Sequence, residues 1–294
     1  MAAALQAVVA GPATAPSAHP WDHAAHGWNQ HSAVIRAWLT EATAALLDAA
    51  RIGPGSRVLD IAAGAGDQTL DIARLVGARG HVLATDISLA ILALAQQNAR
   101  AAGLQQIDTR VADAQALALA GSNFDAAVSR LGLMFCATPL DALTEARAAL
   151  RPGGRFAALV FSQPARNPCL VIAMKTALTH ASLPAQPPSK PGTLMSLGEP
   201  GLLERLLQDA GFVDIRVRPV SAPFRLPTSR DYVDFVRTSG SPIMQILAPL
   251  SPSAQSDAWA DMEEQLNAFT TLAGWEGPNE LLLCSASSPA LRDD

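Results

Sequence analysis

Short apolar runs alternate, from residue 51 onward, with stretches in which apolar residues recur every three or four positions. Short runs that are apolar throughout are typical of strands buried in a parallel sheet, and the spacing between them is that of amphipathic helices. The pattern predicts strands at 57–61, 81–85, 108–111, 124–129, 155–161, 213–218 and 280–286. It predicts helices at 67–76, 88–102, 140–150 and 200–210. We therefore expect an α/β fold with a doubly wound, seven-stranded sheet.

The first fifty residues carry a different pattern. Residues 21–50 have apolar positions at helical spacing, which predicts one or two amphipathic helices that end before Gly53-Pro54-Gly55. Residues 1–20 are rich in alanine and proline but lack the basic start and long apolar centre of a secretory signal. We expect 1–20 to be a disordered leader.

Two long connections do not fit simple crossovers between strands. Residues 164–198 are rich in proline, and residues 222–277 have the pattern of several short helices. We expect 51–163 to form the ligand-binding core and 199–294 to complete the sheet. The two long connections, as an insertion near the site and a helical lid, would join residues 21–50 in a mainly helical cap. Such a cap would cover the carboxyl edge of the sheet, where open α/β folds bind ligands.

Composition excludes several classes of function. The 294 residues carry a formal net charge of −5 and scattered basic residues, so we expect no nucleic-acid partner. No apolar stretch reaches the roughly 18 residues of a membrane-spanning helix. The chain's cysteines, Cys136, Cys169 and Cys284, lack the spacing of a disulfide framework or a zinc site. We expect a soluble, cytoplasmic protein with no metal.

The strongest local motif is the apolar strand and small-residue turn V-L-D-I-A-A-G-A-G-D at 58–67. Small side chains let a ligand approach the backbone, and a helix start offers free N–H groups to it. Asp86 ends the next strand, 20 positions beyond Gly66, where a carboxylate can accept hydrogen bonds from ribose hydroxyls. A nicotinamide-dependent oxidoreductase would share that acid, but the turn lacks the third glycine of G-x-G-x-x-G.

Three weaker motifs follow in order: R-V-A-D-A at 110–114, F-D-A-A-V-S-R at 124–130 and L-R-P-G-G-R at 150–155. With these five motifs, residues 51–161 resemble class I methyltransferases with a Rossmann-like sheet. They are similar in particular to the bacterial ubiquinone and menaquinone C-methyltransferases. The resemblance implies S-adenosyl-L-methionine as the cofactor and methyl transfer as the activity.

The resemblance also implies roles for individual residues. Asp60 and the turn at 62–66, including Ala62, Ala63, Gly64 and Gly66, would face the methionine part of the cofactor. Asp86 would hold the ribose and Ile87 would pack on adenine. Asp113 and Ala114 would meet the adenine amino edge, and Ser129 would lie beneath the sulfonium. Many class I enzymes have glycine where this chain has Ala62, a difference that the quinone-type group tolerates.

Methyl transfer depends mainly on alignment, so a signature catalytic side chain is not required. An acceptor hydroxyl or acidic carbon would still need a base within hydrogen-bond reach. We consider His31 for that base, and Arg130, just past the fourth strand, for orienting an oxygen of the acceptor or the cofactor carboxylate. The alternatives are a solvated histidine-rich segment and a surface ion pair.

Apolar side chains in or near the expected cap predict the character of the acceptor. These are Met134, Phe135, Met174, Phe224, Tyr232, Phe235, Met244, Trp259, Phe269 and Trp275. Most such residues belong to cores, but as a set they favour a small apolar acceptor such as a quinone, a phenol or a natural product. A noncatalytic cofactor-binding module is the other alternative to an enzyme. The accepting atom and the oligomeric state stay open, with a homodimer as one expectation.

Overall fold

A mixed sheet of seven strands forms the centre of the computed structural model, which describes residues 19–185, 187 and 190–290. In chain order the strands of the molecule are β1 Arg57–Ile61, β2 His81–Asp86, β3 Ile107–Val111, β4 Phe124–Arg130, β5 Leu150–Phe161, β6 Val213–Ser221, β7 Phe224–Leu226, β8 Thr270–Thr271, β9 Gly274–Gly277 and β10 Glu280–Ser287. The large sheet has the order β3-β2-β1-β4-β5-β10-β6. All seven predicted strands are present in it, which confirms the expected fold class.

Strand directions decide where a ligand can bind. Strands β1 to β5 run parallel to one another, whereas β10 is antiparallel to both β5 and β6. β1 lies between β2 and β4, so the chain leaves it towards one side of the sheet and later returns on the other. A crevice opens at the carboxyl ends of strands where the winding reverses in this way. The residues after β1 and β4 are therefore placed at the expected ligand edge.

Helices cover both the sheet and its carboxyl edge. They are α1 Pro20–Gln30, α2 Ser32–Ala49, α3 Asp67–Val76, α4 Leu89–Ala101, α5 Pro139–Ala149, α6 Pro168–His180, α7 Leu202–Asp209, α8 Ser229–Ser239, α9 Ser241–Leu247 and α10 Pro252–Leu266. Several of them begin at residues that satisfy the free N–H groups of the first turn. The Ser88 hydroxyl, for example, accepts a hydrogen bond from the Ile91 amide at the start of α4. No helix among the described residues has both the length and the apolar character needed to cross a bilayer.

The N-terminal helix α1 packs across the chain against α8. The Trp28 indole donates a hydrogen bond to the Ser239 carbonyl at 3.0 Å. A Cβ atom added at Gly27 would lie 2.0 Å from the Thr238 carbonyl oxygen, so only glycine allows the two helices to approach this closely. Of the leader predicted at 1–20, residues 1–18 lie outside the described part. Pro20 is already the first residue of α1, because His19 caps the helix.

The segment predicted as a helical lid, 222–277, is only partly helical. It contains α8, α9 and α10, but β7, β8 and β9 form a second sheet of three strands in the order β7-β9-β8. These strands have three, two and four residues, which is too short to display an alternating pattern. The small sheet buries Trp275, whose ring stacks on Tyr232 with centroids 4.9 Å apart.

Candidate active site

A cavity of about 180 Å³ opens at the carboxyl ends of β1 to β4. Side chains and turns from all four strands line it, together with residues of α1 and α2. The lining residues are His19, Trp21, Trp28, Leu39, Ala62, Ala63, Gly64, Ala65, Asp67, Gln68, Asp86, Ile87, Ile91, Ala112, Asp113, Ala114, Gln115, Arg130, Leu131, Gly132, Phe135 and Cys136. Eight of the twelve residues predicted to act in the site are therefore in the lining.

The turn after β1 forms one wall of the cavity. Ala62 and Gly64 both have left-handed backbones, with φ of 57° and 59°. The Gly64 amide donates a hydrogen bond to Asp86 Oδ2 at 3.0 Å, which fixes the turn to the end of β2. A side chain at a left-handed position is strained, so Ala62 is an unusual occupant.

Gly132 explains how the fold accommodates that alanine. A Cβ atom at Gly132 would lie only 2.3 Å from the Ala62 Cβ, and real Cβ atoms do not approach so closely. Gly132 follows β4 and itself lines the cavity. The small residue at 132 therefore leaves room for the methyl group at 62, and the departure from glycine at 62 does not block the site.

Asp86 presents a buried carboxylate to the cavity. Its Oδ1 accepts from the Ser88 amide at 3.0 Å, and only 9% of the residue is exposed. Burial raises the pKa of this carboxyl, while hydrogen bonds from the backbone amides of Ser88 and Gly64 oppose the change. Each carboxylate oxygen accepts one backbone hydrogen bond, from Gly64 or from Ser88, and can accept further hydrogen bonds. A ribose diol would require such free acceptor capacity.

The predicted adenine region lies beside Asp86. The Ile87 side chain lines the cavity and the residue remains 40% exposed. Asp113 begins a short 3₁₀ turn, where its Oδ1 accepts from the Gln115 amide at 2.9 Å. Ala114 lies in the lining next to it. The structure thus brings these predicted residues together along one side of the cavity.

Three predicted cofactor residues lie behind the lining instead. Asp60 is fully buried and accepts hydrogen bonds from Gln68 Nε2 and, at 2.6 Å, from the Thr69 hydroxyl. Gly66 has a φ of 92° and packs against α4. Ser129 is 1% exposed. Gln68 and Gly132 lie in the lining where Asp60 and Ser129 do not. The cofactor roles of Asp60, Gly66 and Ser129 therefore stay predictions.

His31 does not reach the cavity. It ends α1, its Nε2 lies 3.0 Å from the Thr238 hydroxyl, and its ring contacts Phe235 edge-on. Burial lowers the pKa of the imidazole. The structure therefore gives His31 a place between α1 and α8 and counts against the base role.

Arg130 does line the cavity, and its Nη1 donates to the Thr43 hydroxyl at 2.9 Å. Burial lowers the pKa of the guanidinium, and the carboxylates of Asp67 and Asp60 act in the opposite direction. The remaining donors of its fork can serve a ligand oxygen. Its role in orienting the acceptor or the cofactor carboxylate stays a prediction.

The apolar part of the lining differs from the predicted set. Of the ten apolar residues expected to line an acceptor pocket, Phe135 alone does so within the described chain. Trp21 packs edge-on against it with ring centroids 4.8 Å apart. Cys136 lies in the same lining, and burial raises its pKa to about 12, so its thiol is protonated at neutral pH. Leu39 and Leu131 were missed, because nothing local distinguishes them from core leucines.

Two buried polar atoms have no hydrogen-bond partner in the described part of the chain, one on a residue of the cavity lining and one on a residue behind it. Gln68 Oε1 and Ser129 Oγ are buried and make no hydrogen bond within the described residues. Unsatisfied buried polar atoms are costly, so their presence at a cavity indicates a ligand or solvent that completes them.

Asp60 gives a testable dependence of stability on pH. Burial raises its pKa from 3.8 to about 6, against the hydrogen bonds from Thr69 and Gln68. A raised pKa adds stability below about pH 4 that is lost as pH rises through about 6, roughly 3 kcal/mol in all. We expect Asp60→Asn, which cannot ionise, to gain up to that amount relative to wild type across this window. Urea unfolding at pH 4, 5 and 6 measures the difference, and parallel curves for the two proteins would contradict it.

Comparison with known proteins agrees with this geometry. The model of the ubiE/COQ5 methyltransferase family matches residues 34–182. The ubiquinone/menaquinone biosynthesis C-methyltransferase of Klebsiella pneumoniae is 34% identical over 123 residues, covering 42% of this chain and 49% of that protein. The chain's match thus spans about half the length of the curated relatives. The residues matched by the family model, 34–182, include the whole turn after β1 and the ends of β2 to β4.

Solved structures share the fold at low sequence identity. The YcgJ protein from Bacillus subtilis has a TM-score of 0.58 and 14% identity, over 86% of this chain and all of that one. A Haemonchus contortus phosphoethanolamine N-methyltransferase, solved with S-adenosyl-L-methionine, has a TM-score of 0.56 and 16% identity, over 94% of this chain and 61% of that one. These likenesses concern the fold. The family match covers half of the sequence and contains the cavity turns, and the chain belongs to the ubiE/COQ5 methyltransferase family.

Proposed function

We propose that the protein transfers a methyl group from S-adenosyl-L-methionine to a small, fairly apolar acceptor. The observation that carries this proposal is the two-sided cavity at the carboxyl edge of the sheet. One side holds the turn at 62–64 and the Asp86 carboxylate, and the other holds Trp21 and Phe135. A polar, charged ligand and an apolar one would thus meet within one enclosure.

The polar side fits the cofactor. The Asp86 oxygens can accept from ribose hydroxyls, Ile87 offers an apolar surface to adenine, and Asp113 lies where it can accept from an amino group. The unpartnered Gln68 Oε1 and Ser129 Oγ lie near the base of the turn after β1. The methionine portion of the cofactor carries the charged groups that such atoms would solvate.

The chain's own contribution to the reaction is alignment and exclusion of water. When bound, the cofactor supplies a sulfonium methyl group that is already electrophilic. The backbone turn at 62–64 and Asp86 would hold it, while Trp21, Trp28 and Phe135 would orient the acceptor and keep solvent out. Holding two reactants in near-attack geometry can contribute roughly 7–11 kcal/mol. Cys136 is protonated and His31 lies elsewhere, so we assign no general base.

The acceptor class is the finer part of the proposal. Aromatic rings from α1 and from the segment after β4 suit a planar, apolar ring better than a highly charged acceptor. The relatives named for ubiquinone and menaquinone biosynthesis make a quinone the first ring to test, followed by phenols. We place the reaction in the cytoplasm, since all three cysteines are free thiols. A homodimer stays a prediction, which analytical ultracentrifugation would test by measuring the mass of the protein in solution.

Isothermal titration calorimetry with S-adenosylhomocysteine, and with NADH as the control ligand, tests the cofactor. We expect micromolar binding of S-adenosylhomocysteine and none of NADH. Binding of NADH alone would favour the nicotinamide-dependent oxidoreductase and overturn the proposal. An acceptor screen with labelled S-adenosyl-L-methionine then tests the enzyme: cofactor binding without transfer to any quinone or phenol would favour a noncatalytic cofactor-binding module.

A further inference from the structure

A second cavity, of about 390 Å³, lies between the end of α2 and the sheet. It is separate from the cofactor cavity and shares no lining residue with it. Its lining contains Ala45, Asp48, Ala49, Arg51, Arg155, Arg216, Arg218, Leu283 and Ser285. Four of these nine residues are arginines, although the chain as a whole is acidic.

Strand register explains why the arginines converge. Arg216 and Arg218 on the edge strand β6 pair with Ser285 and Leu283 on β10, and residues two apart on a strand face the same side. Arg155 lies on β5, opposite Ala126 near the start of β4. The cavity is therefore towards the amino end of the parallel strands, away from the edge that carries the proposed cofactor site.

Arg155 anchors the cluster to the fold. Its Nη1 donates to the Ser287 hydroxyl at 2.7 Å and its Nη2 to the Ala49 carbonyl at 3.2 Å, at the last residue of α2. Burial lowers the pKa of the guanidinium, and the like charges of Arg51 and Arg216 lower it further. The folded chain thus holds cations close enough to disfavour one another.

The other three arginines have no partner for their guanidinium groups among the described residues. These three arginines are exposed. Other exposed arginines, such as Arg151, Arg225 and Arg230, contact carboxylates at 2.6 to 3.1 Å. Here Asp48 is the lining carboxylate. Asp214 lies near, where it accepts from the Ser287 hydroxyl at 3.1 Å. Four cations against these two carboxylates leave an excess of positive charge.

We propose that this cavity binds the phosphate group of a small molecule, as a site distinct from that of methyl transfer. Guanidinium forks match phosphate oxygens in bidentate geometry, and several of them together favour an anion with two or more charges over a single carboxylate. The Ser285 hydroxyl adds a neutral donor, and Leu283 with Ala45 and Ala49 adds apolar surface for the part of the ligand that carries the phosphate. The phosphate belongs to a free metabolite or to a lipid headgroup.

Titration calorimetry with pyrophosphate at low ionic strength provides the test. We expect wild type to bind it, and the double variant Arg216→Gln/Arg218→Gln to bind about 100-fold more weakly, because two charge-assisted contacts are lost. The matched control is Arg79→Gln/Arg100→Gln, which removes the same charge from exposed arginines outside both cavities. We expect the control to bind within about twofold of wild type, as screening limits long-range effects.

Thermal melting separates lost binding from lost folding. Pyrophosphate is expected to raise the melting temperature of wild type and of the control but not that of the double variant. If the double variant does not melt cooperatively, the single variant Arg51→Gln takes its place, since Arg51 lies on a connecting turn rather than in the sheet.

Flotation with phosphatidylglycerol vesicles identifies the source of the phosphate. Pyrophosphate binding without flotation supports a free metabolite, and flotation that is lost in the double variant supports a lipid headgroup. If wild type binds neither probe, or the arginine variant binds as tightly as the control, the proposal is overturned. Neither result depends on methyl transfer, which the S-adenosylhomocysteine titration tests separately.

Discussion

Replacing Asp86 with alanine is expected to weaken S-adenosylhomocysteine binding by a factor of about 100 or more. Hydrogen bonds to a charged group contribute roughly 1.5–3 kcal/mol each, and a ribose diol would make two of them. The variant also removes the acceptor for the Gly64 amide, which holds the turn at 62–64 in place. Calorimetry measures the affinity, and the melting temperature reports how much the turn itself contributes to stability.

Asp86→Asn is the matched control for charge. The asparagine side chain keeps one oxygen that can accept from the Gly64 amide, but it has no negative charge and one acceptor fewer. The affinity of Asp86→Asn for S-adenosylhomocysteine should therefore lie between those of wild type and Asp86→Ala. Burial raises the pKa of Asp86, so affinity should fall as pH is lowered through that pKa, in wild type and not in Asp86→Asn. Equal affinity of all three proteins would exclude Asp86 from the cofactor site.

Replacing Gly27 with alanine is expected to detach α1 from α8. The new Cβ would lie 2.0 Å from the Thr238 carbonyl oxygen, a backbone atom that cannot move without shifting the helix. Overpacking of this kind costs about 1–3 kcal/mol, and here the Trp28 hydrogen bond to Ser239 would be lost with it. Guanidinium unfolding and hydrogen exchange of the α1 amides measure the effect.

Detachment of α1 should also disrupt the apolar side of the cavity, because Trp21 on α1 packs against Phe135 there. We expect the KM for the acceptor to rise more than the affinity for S-adenosylhomocysteine falls. His26→Ala, an exposed position one residue away on the same helix, is the control and should change neither. Unchanged exchange protection in Gly27→Ala would show that α1 is not held by this contact.

The centre of the sheet was predictable because β1, β4 and the second half of β5 are buried and therefore appear as apolar runs. The edge strands β3 and β6 are largely exposed, and apolar and polar residues alternate along β6. The boundaries of β1 and α3 agree with prediction to the residue. The second sheet was not predictable, since its strands are too short to show a period and depend on tertiary burial of Trp275. Lengths of two to four residues carry almost no local signal.

The sequence predicted the lining residues that lie at or just after the ends of strands. It did not predict which residues are buried behind the lining. Asp86 ends β2 and Asp113 follows β3 by two residues, and both lie in the cavity lining. Asp60 sits within β1, and sequence does not reveal that α3 places Gln68 between its carboxylate and the cavity. Sequence also does not reveal that His31 lies away from the cavity, because its partner, Thr238, is 207 positions away.

The position of β10 bears on how the chain folds. This strand, at residues 280–287, lies between β5 and β6, so the seven-stranded sheet is incomplete until residue 287 has been synthesised. Pairing of segments so distant in sequence slows folding, because loop closure must precede any gain from contact. The parallel strands β1 to β5 can pair earlier, which would leave one edge of β5 unpaired until β10 is made. An unpaired strand edge can pair with other chains, so we expect partially synthesised protein that lacks β10 to aggregate more readily than protein that contains it.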